Sequence, residues 1–585
     1  MKNFLSLNKG WVFILVLAFL LRAICINLNP VGLSHDDELS ELINSKSLAM
    51  TGTQAPGHVA GIFTLNDKCQ GNCVYGELGA FILVPWMRIF PLDMLWSKIP
   101  FILASLLIVF SGGKLFENLS KKRTIGLIVG LLLAINPWEI HFGRTVYFTT
   151  FSFAFYLLAA YFFTRGKSYK SNLILGSLSS MIASLFYFGT KPIWPLIIIW
   201  GITYNIFHFK NHYPKFTIFV VSFSLITILS YFFVLSNSYA GRRMQEVFID
   251  DTASIVNQER RVSLEIPLIR DLFINKFTVD AGVRIEKFVG FFSPTFLYVK
   301  SAGSTDIYYD SNQAYNYLVD FAFLVFGVMA LASNFPTAIF VLSLLLISVA
   351  PVALKTTGDT IYSLRAGLAY PILTGISGWG IYYLSTKFSK SYKKMFILVT
   401  ILVYAGSLTY FLAMYWFRTP IDKSIGWYFH KRVVASYITR LREKSNQKII
   451  VVTAQPADTF SEYVFFGGIY NTKSDILDVN KIYTSQKYVY KNTEFINSCE
   501  EITKDDLKNG AVIFVEQGVS CQLNQTDTPK IANPRDGGGM YNIINEDLCA
   551  TYPKEKYPYP RKISDFNVEK LPDNEFCKLW ITNPD

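Results

Sequence analysis

The sequence predicts an α-helical polytopic membrane domain followed by a smaller α/β domain, and three observations carry that expectation. Apolar runs approaching the length of a bilayer crossing, about 20 residues, recur along the first 416 residues. Of the 585 side chains 51% are hydrophobic, 16% aromatic and only 17% charged, with a mean hydropathy of +0.30, which leaves too little polar surface for a soluble chain of this size. Beyond Trp416 the composition turns mixed and polar, and short β-branched runs at 449–453 and 512–515 read as buried strands.

The apolar runs predict eleven membrane helices, at 11–28, 101–116, 125–135, 148–163, 173–188, 193–207, 216–234, 317–332, 338–354, 366–384 and 395–416. The first follows Lys2 and Lys9 as a signal peptide would. It exceeds an h-region of about 7–15 residues and no small-x-small site precedes Pro30, so it is expected to be retained. Lys121, Lys122 and Arg123 lie in one connection, Arg165, Lys167 and Lys170 in another, then Lys210 and Lys215, then Lys387, Lys390, Lys393 and Lys394. The positive-inside rule makes that face cytoplasmic. Parity requires the run 78–90, interrupted by Pro85, to lie at the interface or re-enter rather than cross. The predicted domains are a transmembrane domain at 1–418, with outer loops 29–98 and 237–316, and an extracytoplasmic α/β domain at 419–585.

The net charge of +12 comes from Lys and Arg spread along the chain, many flanking apolar runs, where anionic headgroups are the natural partner. No basic stripe or recognition motif accompanies it, which argues against nucleic acid. Cys69, Cys73, Cys499, Cys521, Cys549 and Cys577 all fall on the predicted outer face; Cys25 is in the first helix. Histidines are few and the distal spacings form no paired C-x2-C units, so disulfides are expected over a zinc site.

The clearest local signal for chemistry is Ser34-His35-Asp36-Asp37-Glu38, just beyond the first helix and leading into a helix-like stretch at 39–50. A carboxylate at that boundary can sit in a cavity of reduced dielectric and take a proton from an acceptor hydroxyl or amine. The same acidic groups would also suit a solvated helix N-terminus. Arg144, Lys191, Lys355 and Arg365 stand at outer helix ends, where cations can stabilise a leaving phosphate or simply anchor their helices.

The run HDDE at 35–38, followed by SKSLAMTG at 45–52, resembles the first outer loop of lipid-carrier-dependent glycosyltransferases of the GT-C fold, protein O-mannosyltransferases and the aminoarabinose transferase family among them. Asn136-Pro137-Trp138 with Arg144, the segment FSPTFL at 292–297, and Arg365 followed by Pro371 are similar to further pieces of that pattern in the same order, across roughly residues 10–385. The resemblance implies that Asp37, with Glu38, forms the catalytic acidic pair. Asp36 is an extra carboxylate that leaves the register open by one residue. It further implies an inverting displacement from a polyprenyl-phosphate sugar, no metal or other cofactor, and Arg365, Lys191 and Arg144 at the donor phosphate. The acceptor, a protein, lipid or polysaccharide, would lie on the outer face of a plasma membrane.

No WWDYG, Walker A, GxSxG or HExxH motif occurs. The rival readings are a polyprenyl-linked glycan flippase, a polymerase or ligase using a diphosphate-linked donor, and a non-enzymatic scaffold. A flippase would call for charges near mid-membrane and related halves, and neither is evident.

Overall fold

The computed structural model describes residues 2–34, 38–56, 78–166, 168–209, 213–236, 252–263, 266–301, 313–354, 361–523, 528–552 and 562–582. A helix covers each of the eleven apolar runs. These are Lys2–Ala23 (α1), Met94–Ser120 (α2), Arg123–Ile135 (α3), Thr149–Thr164 (α4), Tyr169–Ser184 (α5), Ile193–His208 (α6), Pro214–Ser236 (α7), Leu318–Ala332 (α8), Phe335–Val349 (α9), Ala369–Lys387 (α10) and Lys390–Ala413 (α11). Among the described residues four stretches are long and apolar enough by themselves to cross a membrane: Met94–Ser120, Pro214–Phe233, Phe335–Leu354 and Lys390–Asp422. Several of the others, Arg123–Ile135, Thr149–Thr164, Ile193–His208 and Leu318–Ala332 among them, are shorter. Asn136-Pro137 ends α3, since the asparagine caps the short helix Pro137–Phe142 through Glu139 N–H and proline occupies its first position.

Contacts between helix ends show an antiparallel bundle. At one end the Tyr317 hydroxyl, at the start of α8, donates to Ile135 O at the end of α3, and Asn29 donates to Tyr415 O beyond α11. Ser152 in the first turn of α4 donates to Ala183 O near the end of α5. At the other end Asn118 on α2 donates to Thr164 on α4, and Lys122 donates to the Tyr382 hydroxyl near the end of α10. That second end carries the exposed cations Lys121, Lys122, Arg123, Lys170, Lys387, Lys390 and Lys394. The helix Gly79–Ile89 has both its ends at the first end: Leu78 N–H donates to Leu185 O, and Lys46 donates to Met87 O and Phe90 O. It does not run along the bundle, in agreement with the parity argument for 78–90.

Packing inside the bundle depends on small residues, since helices in lipid gain most from close backbone approach. A Cβ on Gly327 of α8 would fall 2.1 Å from Ile376 O of α10, and one on Gly380 of α10 would fall 2.0 Å from Phe323 O of α8.

The C-terminal part forms one mixed sheet in the order β2-β3-β1-β4-β6-β5-β7. Its strands are Ile449–Val452 (β1), Tyr488–Tyr490 (β2), Thr493–Ile496 (β3), Val512–Glu516 (β4), Lys530–Ala532 (β5), Gly539–Ile544 (β6) and Ile581–Thr582 (β7). β1 runs parallel to both β3 and β4, and every residue of β1 is buried, which is why its sequence reads as an unbroken IIVV. Helices Phe429–Lys444 (α12), Pro456–Phe466 (α13), Lys473–Ser485 (α14) and Asp573–Trp580 (α15) accompany it. Disulfides join Cys499 to Cys521 and Cys549 to Cys577. Cys69 and Cys73 lie outside the described residues.

Candidate functional site

The acidic motif is carried by the connection that leaves α1, and the main chain of that connection is wrapped around three buried cations. Arg144, in the turn before α4, donates from Nε to Asn29 O (3.0 Å) and from its two terminal nitrogens to Ile24 O (2.7 Å), Leu21 O (3.3 Å) and Cys25 O. Lys98, in the second turn of α2, donates from Nζ to Ile26 O and Pro30 O, both at 3.0 Å. Arg432, in the first turn of α12, donates to Val31 O and Asn27 O. Every carbonyl from residue 24 to 31 except that of Leu28 therefore faces a cation. All three cations are fully or almost fully buried. Buried charge of this kind is tolerated only when main-chain dipoles solvate it, and the reciprocal effect is a loop of fixed shape.

The loop then turns into the juxtamembrane helix Ser40–Thr51. Glu38, fully buried, accepts from Ser34 N–H at 2.8 Å through one carboxylate oxygen and from Val146 N–H at 2.6 Å through the other. The carboxylate thus closes its own turn and joins it to the segment that begins α4. Asp36 and Asp37 lie outside the described residues, as do His35 and Lys355. Asp37 immediately precedes Glu38, so the anchoring of Glu38 fixes where the acidic run meets the bundle.

Lys191 and Arg365 lie next to residues that pack on the first turns of α4, while their own side chains take other partners. Lys191 follows a 3-10 turn, Phe188–Thr190, and is buried; its Nζ donates to Ser184 O and to the Tyr231 hydroxyl on α7. Thr190 bonds the Ser152 hydroxyl of α4 at 2.7 Å and accepts at its carbonyl from Tyr156. Arg365 sits in the 3-10 turn Ser363–Ala366, half-buried, with its guanidinium over Tyr362. Two residues on, Gly367 lies so close to α4 that a Cβ there would come within 2.1 Å of the Phe153 ring. Glu38, Thr190 and Gly367 thus meet the segment 146–153 at the start of α4.

Arg144, which the sequence pattern put at the donor phosphate, has the hydrogen bonds of a positioning residue: they hold α1 and the loop after it. Arg144→Lys is expected to strand carbonyls that one ammonium cannot reach together, at about 1–3 kcal/mol for each left unsatisfied. A lowered unfolding temperature with unchanged donor affinity in the folded fraction checks this. Lost donor affinity at unchanged unfolding temperature would place Arg144 at the phosphate instead.

The C-terminal domain closes over this end. Arg432 pairs with Glu569 through Nε at 2.6 Å and a terminal nitrogen at 2.8 Å while it holds the loop. Gly32 leaves no room for a side chain, since a Cβ there would fall 1.9 Å from Trp427 O. Asn480 donates to Ser47 of the juxtamembrane helix, and Asn471 accepts from Leu92 N–H. Glu462 of α13 is buried in the same region with no hydrogen bond to either carboxyl oxygen among the described residues. Burial pushes its carboxyl up to about 8; Lys431 and Arg432 pull it down, while Asp458 and Glu38 push it further up.

The chain matches no protein-family description and no curated protein. Its fold is similar to solved structures of ArnT from Cupriavidus metallidurans, an aminoarabinose transferase. For the apo state the identity is 11%, 92% of this chain and 98% of that chain are covered, and the TM-score is 0.47. For the structure bound to undecaprenyl phosphate the identity and coverage are 11%, 92% and 98%, with a TM-score of 0.42. It is also similar to the oligosaccharyltransferase AglB from Archaeoglobus fulgidus in complex with an inhibitory peptide and a dolichol-phosphate, at 9% identity over 92% of this chain and 74% of that chain, TM-score 0.43.

Among the described residues no group of three or more His, Cys, Asp and Glu side chains is arranged to hold a metal ion. His141, in the short helix Pro137–Phe142, bonds the Tyr415 hydroxyl at 3.0 Å. Sequence reasoning passed over Lys98, Arg432 and Glu462. Lys98 had a legible signal, a lone cation just inside an otherwise apolar run, which by default marks a polar partner in the interior.

Proposed function

We propose that this protein is a membrane glycosyltransferase that moves a sugar from a polyprenyl-phosphate donor to an acceptor at the bundle end carrying loop 24–38. The eleven bundle helices cross the membrane, that end is extracytoplasmic, and residues 1–418 and 419–585 form the two domains. One observation carries the reading: three buried cations hold the loop 24–31 that leads to the acidic run, and Glu38 pins its turn to the segment before α4, the helix on which Thr190, next to Lys191, and Gly367, two residues after Arg365, also pack. Carboxylate and cations near the start of one helix suit a displacement at an anomeric carbon, in which a base takes a proton from the acceptor while cations receive negative charge on the leaving phosphate.

In this mechanism Asp37 is the general base, with Asp36 the neighbour that could take its place. Glu38 positions the run rather than reacting. Arg365 and Lys191 hold the donor phosphate, and Lys98, Arg144 and Arg432 hold the loop. A single displacement inverts the anomeric centre. A monophosphate donor needs no metal where cations offset its charge, so transfer should survive chelation. The C-terminal domain, tied to the loop through Arg432 and to the juxtamembrane helix through Asn480, shapes the acceptor side.

The test is transfer from a radiolabelled polyprenyl-phosphate hexose by the full chain in lipid. Asp37→Asn is expected to lose about 10²–10⁴-fold in turnover while still binding donor. Arg365→Ala is expected to lose about 10²–10³-fold. A native protein that neither binds nor consumes the donor, and instead moves headgroups across the bilayer, would overturn the transferase reading in favour of a transporter.

A further inference from the structure

The bundle has a second built feature, whose mouth lies at the end away from the acidic loop. A groove of about 710 Å³ opens between α1, α3, α10 and α11. Its walls are almost wholly apolar, among them Leu17, Ile128, Leu132, Ile381, Ile397 and Leu408. α11 is the outer wall, and within it only Tyr404 and Phe411 are buried, so the helix stands off from the bundle instead of sealing against it. Along α11 the groove runs from Lys393 to Leu408, about 22 Å at about 1.5 Å per residue. Half of a hydrocarbon core is about 15 Å thick. The groove therefore begins at headgroup level and continues past the midplane, the dimensions of one long hydrocarbon chain rather than a compact ligand.

The mouth is cationic. Lys393 lines it directly. Lys122 is turned towards it: its Nζ lies 3.2 Å from the hydroxyl of Tyr382, another lining residue, and 4.8 Å from that ring. Lys121, Arg123, Lys390 and Lys394 surround it, all exposed. Glu117, packed against Gly126 of α3, is already neutralised by Lys114 at 2.8 Å.

We infer that this groove is a binding site for one anionic phospholipid of the leaflet at the basic end, its phosphate between Lys122 and Lys393 and one acyl chain lying along α11. The phosphate position lies at the end opposite loop 24–38, and the inference rests on the proposed membrane placement of the bundle, not on the transferase reading. Its effect is to fill the gap between α11 and the bundle, and α11 is the helix that leads into the C-terminal domain.

The experiment is native mass spectrometry of the full chain after delipidation and exposure to vesicles of phosphatidylglycerol or of phosphatidylcholine with the same chains. One phosphatidylglycerol should be retained per chain, in preference to phosphatidylcholine. Lys122→Gln with Lys393→Gln should weaken retention by about thirty-fold, as two basic side chains beside an anionic surface predict. Ile128→Trp, which fills the groove and leaves the charges, should abolish retention while the helical circular dichroism stays unchanged. Equal retention of both lipids, retention indifferent to Ile128→Trp, or a polyprenyl phosphate held there in place of phospholipid would overturn the inference.

Discussion

Arg432→Met is expected to release the C-terminal domain from the loop it holds and to reduce sugar transfer at least tenfold, although residue 432 is remote in sequence from the acidic run. Three groups depend on that one guanidinium: the Glu569 carboxylate, Val31 O and Asn27 O. Removing one partner of a buried ion pair costs about 3–5 kcal/mol, because the other charge is left behind. The Glu569 side chain keeps a relative exposure of 33%, so water can take over part of its solvation and the lower end of that range applies. The measurement that separates the two roles is a cycle with Glu569→Leu. The double variant should regain most of the lost unfolding temperature, since no buried carboxylate remains unpaired. It should regain little of the lost turnover, since Val31 O and Asn27 O are still unheld. Full recovery of turnover in the double variant would show that the loop does not need Arg432.

The same residue shows what the sequence could and could not disclose. The helices of the bundle were legible as apolar runs, and β1 and β4 because a strand buried on both faces loses its alternation. The wrapping of residues 24–31 was not legible. Its acceptors are main-chain carbonyls, which every residue possesses, so nothing in INLNPV at 26–31 or its neighbours distinguishes a loop wound round cations from a loop in water. Its donors sit in three separate places, at 98, 144 and 432, and the contact from Arg432 to Asn27 spans 405 residues. Arg144 illustrates the consequence: its place at a helix end is legible in the sequence, its hydrogen bonds to the carbonyls that end α1 are not. Lys191 and Arg365 were singled out from the sequence as cations at helix ends that match the family pattern. The packing of Thr190 and Gly367, their near neighbours, on the start of α4 is recorded by no local pattern.

Glu462→Gln is expected to raise the unfolding temperature of the full chain in lipid at pH 8 and to leave it nearly unchanged at pH 4.5. Glu462 is buried between α12 and the loop, facing Lys431 and Arg432 from α12, Asp458 from its own helix and Glu38 from the loop. Its carboxyl is raised from 4.5 to about 8, chiefly by burial. The folded chain therefore keeps a proton that the unfolded chain has lost, and stability falls as pH rises from about 4.5, the loss becoming complete above about 8. Across that window the loss is on the order of 4 kcal/mol, at about 1.4 kcal/mol per pH unit. Glutamine retains the shape and the buried polar atoms but has no charge to acquire, so the comparison isolates ionisation. With roughly 2–4 °C per kcal/mol for a domain of this size, the two unfolding curves should separate by about 10 °C at pH 8. Parallel curves from pH 4.5 to 8 would show that water or a cation already compensates the carboxylate. Because Glu38 is among the groups that oppose this ionisation, the titration should also appear in turnover, at the upper edge of that window: the native protein loses activity as pH rises through about 8 and the two carboxylates repel across the interface, and Glu462→Gln does not.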